Sequence, residues 1–104
     1  MKYQLAIQFA ADSVETFDDL LVLTEVVNAK LASHANTVVD GHDFGMCEFN
    51  IFIHTDTPQA ILEDVGEIIE EARPGLAFAA GYRDFNDDEY VVLWPKSLER
   101  FVIA

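Results

Sequence analysis

Two periodicities take turns along this chain, and their order restricts the fold more than any single motif does. Across residues 2–9 the pattern alternates, with Tyr3, Leu5, Ile7 and Phe9 on one side and Lys2, Gln4, Ala6 and Gln8 on the other. A period of two marks a strand with one buried face. The spacing then becomes helical through Phe17, Leu20, Leu21, Thr24, Val27 and Leu31. Asp12 or Ser13 would cap this helix, with Glu15 three residues after Asp12. It should end near Ser33, where Lys30 suits the C-terminal dipole.

Residues 36–54 read as strand, turn and strand. Thr37-Val38-Val39 is extended, and Asp40-Gly41 and Phe44-Gly45 supply turn chemistry. The return strand over 46–54 alternates, with Cys47, Phe49, Ile51 and Ile53 facing the core and Glu48, Asn50, Phe52 and His54 facing away. Thr57 as N-cap and Pro58 at the first helical position open a second helix. Its buried stripe is Ile61, Leu62, Val65, Ile68, Ile69 and Ala72, and Arg73-Pro74-Gly75 stops it. Two strands, over 76–83 and 90–94, flank an acidic loop at 84–89, and Pro95 ends the second. The apolar tail Phe101-Val102-Ile103-Ala104 is expected to pack down or to add an edge strand.

The predicted order is therefore strand, helix, strand, strand, helix, strand, strand. Its first six elements are the split βαβ pattern of the ferredoxin-like class: α+β, an antiparallel sheet of about five strands with two helices on one face. At 104 residues the expectation is a single domain over 1–104. That architecture hosts many activities, so function must come from particular side chains.

With 51 % apolar residues the chain has ample material for a core, yet no long uncharged apolar run suggests a membrane span. The start Met1-Lys2-Tyr3-Gln4-Leu5 lacks the pattern of a signal peptide, and the single Cys47 forms no internal disulfide. A cytoplasmic setting is the expectation. Six Lys and Arg stand against nineteen Asp and Glu, a formal charge of −13. Such a balance repels nucleic-acid phosphates and anionic membrane surfaces, so neither is an expected partner.

On the second helix, Glu63, Glu67 and Glu70 fall opposite the buried stripe, flanked by Asp64 and Glu71. On the first, Glu15, Asp18, Asp19 and Glu25 share the outer face with Val22 and Val26. With both helices on one side of the sheet, these carboxylates form a nearly continuous negative surface. Pairs such as Glu63/Glu67 and Glu67/Glu71 repel by about 0.2–0.5 kcal/mol each. A solvated helix normally mixes its signs. An apolar centre at Val22 and Val26 within a charged rim is how an interface is built.

Other chemistry is thinly signalled. Asp40-Gly41-His42-Asp43, with His54 and Asp56, holds metal-ligand residue types. His42 and His54 are twelve residues apart, however, and an extended return strand over 46–54 would hold its turn about 30 Å from its far end, too far for the two to share an ion. His34 near a helix end is ordinary. Cys47 sits on the core face beside Phe49 and Ile51, with no basic neighbour in sequence to activate it. The nucleophile elbow, the phosphate-binding loop, the zinc helix motif and the dinucleotide fingerprint are all missing from the sequence. No catalytic residue, cofactor or metal site is therefore assigned, and the chain leans away from being an enzyme.

The open face of the sheet is the rival site. It would gather Gln4, Ala6 and Gln8 with Glu48, Asn50, Phe52 and His54. The last strands would add either Tyr82, Tyr90 and Trp94 or Val91 and Leu93, depending on register. Such a face would be covered by the C-terminal tail, serve as a homodimer interface, or form a small-molecule cleft. Arg83 would clamp an anion there or, more simply, pair with Asp84, Asp87 or Asp88. Two functions follow. In the first, an acidic, non-catalytic interaction protein (inhibitor or immunity-type) meets a basic protein through its helical face. In the alternative, a small homodimeric ligand-binding domain or enzyme uses Asn50, Phe52, His54, Tyr82, Arg83 and Trp94 on the sheet.

Overall fold

A computed structural model describes residues 2–10, 17–34, 36–45, 48–95 and 101, with backbone placement alone for 17–20 and 43–45. The elements are β1 (Tyr3–Ala10), α1 (Phe17–Leu31), β2 (Thr37–Gly45), β3 (Glu48–Thr55), α2 (Pro58–Ala72), β4 (Ala79–Asp84) and β5 (Val91–Trp94). They form one sheet in the order β2-β3-β1-β4-β5, every neighbouring pair antiparallel. The β1-α1-β2 connection passes over β3, and β3-α2-β4 passes over β1. This is the split βαβ arrangement of an α+β domain, with β5 added beyond β4. The expected caps of α1 at Asp12 and Ser13, together with Glu15, Cys47 and the tail at 102–104, lie outside the described residues, as do the side chains of Asp18 and Asp19.

Strand alternation builds the core. Leu5, Ile7 and Phe9 of β1 pair with Ile53, Ile51 and Phe49 of β3, so all six side chains share one face. Leu23, Val27 and Leu31 from α1, and Ile61, Val65 and Ile69 from α2, join them in a single buried cluster. Each such side chain is worth about 1.5–3 kcal/mol when removed from water. Leu62 and Ile68, expected in the buried stripe of α2, only flank this cluster, and Ala72 is exposed.

Three local readings change. Asp40-Gly41 does not turn the chain: β2 continues through it, with a bulge between Val39 and Gly41 that leaves Asp40 outside the pairing. The Gly41 φ of 152° shows why the same Asp-Gly pair serves either a turn or a bulge. At the start of α2, the Thr57 side chain makes no capping bond; the Thr57 N–H instead donates to the Thr55 hydroxyl at 3.2 Å. Thr55 Oγ1 is buried and lies 3.1 Å from Thr37 Oγ1, tying the β2 and β3 ends together. Finally, β4 begins at Ala79 rather than near residue 76. The end of α2 follows expectation, with Gly75 at a φ of 81° and its N–H donating to the Glu70 carboxylate at 3.3 Å.

Candidate functional site

A helix of 3.6 residues per turn that buries Ile61, Val65 and Ile69 must carry Glu63, Glu67, Glu70 and Glu71 outward, and all four are exposed. Together with Gly66 these side chains line an open depression of about 650 Å³. Helix α1 packs beside α2, and there Val22 is 59 % exposed, Glu25 is exposed and Val26 is half-buried. Val22, Leu23 and Val26 meet Ala72 and Arg73 around a recess of about 60 Å³. Small-molecule pockets run to about 300–1,000 Å³, so this recess suits the tip of a side chain rather than a ligand. Among the described residues, the carboxylates of Glu25, Glu63, Glu67 and Glu71 are paired with no cation. Asp64 is different. It takes a 2.9 Å contact from His34 Nε2, which ties the turn after α1 to the side of α2. His34 is therefore a clasp between elements, a use not visible from its place near a helix end.

The opposite surface of the sheet carries the even-numbered residues of β1 and β3. Gln4 lies between His54 and Arg83, Ala6 between Phe52 and Gly81, and Gln8 between Asn50 and Ala79. Its centre is closed. Ala6 and Asn50 are fully buried, and Phe101 is 4 % exposed. A Cβ added at Gly81 would lie 2.7 Å from Phe101 Cγ, so the ring sits directly on the Gly81 backbone. Of the three expectations for this face, cover by the C-terminal segment is the one that Phe101 illustrates.

The remaining residues of the expected sheet site divide. Asn50, Phe52, His54 and Arg83 share the open face. Tyr82 turns to the helix side, where it packs against the core and makes an edge contact with Tyr3 at 5.5 Å. Leu93 also joins the helix-side core, and Trp94 is 45 % exposed on the edge strand. His54 stacks edge-on against Phe85 at 4.8 Å, and its Nε2 lies 3.6 Å from the Asp40 carboxylate. Because β2 runs on beside β3 without turning, Asp40 and His54 are neighbours and not the ends of a long strand. Even so, no group of three His, Cys, Asp or Glu able to hold a metal occurs among the described residues.

Arg83 departs from the simplest expectation. Its Nη1 donates to the main-chain carbonyls of Asp87 at 3.0 Å and Asp84 at 3.5 Å, and its Nη2 donates to Gln4 Oε1 at 3.3 Å. The neighbouring carboxylates build the loop instead: Asp84 accepts the Asn86 N–H at 2.9 Å and Asp87 the Glu89 N–H at 3.3 Å. Gln4 and Tyr90, both expected on this face, are joined by a 3.0 Å hydrogen bond, and Gln4 links them to Arg83, a linkage the sequence does not signal. A glycine inside a strand was the available signal for the Phe101 seat, since Gly81 marks a close approach. No helix among the described residues is long and apolar enough to cross a membrane. Comparison with protein-family models, with curated proteins and with solved structures returned no match.

Proposed function

We propose that this chain is a non-catalytic interaction protein whose acidic helical face docks a basic protein, as an inhibitor or immunity-type protein does. One observation carries the reading: Glu25, Glu63, Glu67 and Glu71 are exposed on the two helices, as is Val22, and among the described residues no cation pairs with these carboxylates. Like charges at i,i+4 store repulsion that a few lysines would relieve. A cationic partner relieves it on binding, and the negative field speeds encounter. Val22 and the recess beside Val26 supply the apolar contact that a charged rim surrounds. The −13 charge speaks against nucleic acid as the partner. The closed centre of the sheet favours this surface over the rival one.

Titration with an amphipathic Lys/Leu peptide, followed by amide NMR shifts, tests the assignment. The expected shifts cluster on α2 and on the Val22–Val26 part of α1, and weaken as salt rises from about 20 to about 300 mM. Shifts centred on β2 or β5 would overturn it.

A further inference from the structure

The open face holds a cation whose hydrogen-bonding capacity is incompletely used. A guanidinium presents five N–H donors. Arg83 directs three of them at neutral oxygens: the Asp84 and Asp87 carbonyls and the Gln4 amide. Its Nε–H and one Nη2–H reach no acceptor among the described residues. The amide of Gln4 also donates to Tyr90 Oη at 3.0 Å, which leaves the phenolic proton free to donate outward. Arg83 and Tyr90 are thus held on one amide, and the guanidinium carbon lies 5.9 Å from the centre of the Tyr90 ring. The Phe101 ring follows at 5.2 Å from that of Tyr90. Arginine in so acidic a chain has carboxylates at hand, yet Asp84 and Asp87 spend theirs on backbone N–H groups of the loop.

We propose that the Arg83–Gln4–Tyr90 cluster binds the carboxylate of a small organic acid. Two guanidinium N–H groups and one phenolic O–H match the acceptor capacity of a single carboxylate. The half-buried Tyr90 ring stands beside the guanidinium for an apolar body, backed by the buried Phe101 ring. A phosphate dianion is disfavoured, because it brings a second negative charge next to Asp84, Asp87, Asp88 and Glu89. This site lies across the sheet from the acidic helices and is independent of the docking assigned to them.

Titration of the full chain with sodium benzoate, against acetate, phosphate and ionic-strength-matched chloride, tests it by NMR at Arg83 Nε–H and the Tyr90 ring. Saturable shifts at both are expected, with benzoate ahead of acetate and acetate ahead of phosphate. Arg83→Lys keeps the charge but loses the fork, and should weaken benzoate by about tenfold or more. Tyr90→Phe keeps the ring contacts and should weaken it roughly tenfold; it remains informative if Arg83→Lys disturbs the loop. Benzoate binding should hold or strengthen from about 20 to about 300 mM salt, since screening hides the distant acids more than the direct contact. The Lys/Leu peptide behaves oppositely, so failure at one site is distinguishable from failure at the other. Shifts no different from those with chloride, shifts that never saturate, or affinity unchanged in both variants would overturn the proposal.

Discussion

The outer surface of α2 and the open surface of the sheet lie on opposite sides of the same core, and they treat charge and apolar area in opposite ways. On α2, Glu63, Glu67 and Glu71 stand in a row with nothing described to pair them. On the sheet, Arg83 is knitted into carbonyls and an amide, and the apolar centre is capped by Phe101. The sheet surface is held by contacts between distant parts of the chain: Gln4 and Tyr90 are 86 residues apart. The α2 surface contributes few such contacts and carries unrelieved repulsion. The chain itself closes the centre of the sheet surface, whereas the acidic row on α2 is left for something else to neutralise.

The sharpest way to break this contrast is to open the closed surface. Phe101→Ala should cost about 3–5 kcal/mol of stability in denaturant unfolding, as loss of a buried aromatic does. A cost below about 1 kcal/mol would mean that the sheet is not closed by this ring. Gly81→Ala probes the same seat from below and should cost about 1–3 kcal/mol, because Phe101 must move away from the new methyl group. The smallest effect is expected on the other side and with the opposite sign. Glu67→Lys should be neutral or raise stability by a few tenths of a kcal/mol, and its gain should shrink as salt screens the repulsion it relieves. Strong destabilisation by Glu67→Lys would place that carboxylate in a structural role.

Local patterns were readable and long-range ones were not. The alternation of β1 and the spacing of Ile61, Val65 and Ile69 depend on neighbours within a turn or a pleat, and each led to the observed buried face. Asp40-Gly41 was ambiguous because a bulge and a turn need the same backbone freedom. The face taken by Tyr82 depends on the pairing of β4 with β1, and the β4–β5 register itself shifts between Ala80 and Gly81. The acidic row on α2 was legible from a helical wheel. Gln4, Tyr90 and Arg83 were expected on one face, but the hydrogen bonds that join them were not legible, since β1, β4 and the loop before β5 must first be folded together.

The association rate with the amphipathic Lys/Leu peptide tests the proposed docking face most directly. It should be measured for the unaltered chain, for Glu25→Lys with Glu67→Lys, and for Val38→Ser on the open side of β2, at about 20 and about 300 mM salt. The account predicts fast association at low salt that falls steeply at high salt, a marked slowing in the double reversal, and no change in Val38→Ser. Association that is insensitive to the double reversal and lost in Val38→Ser would contradict it and move the function to the sheet.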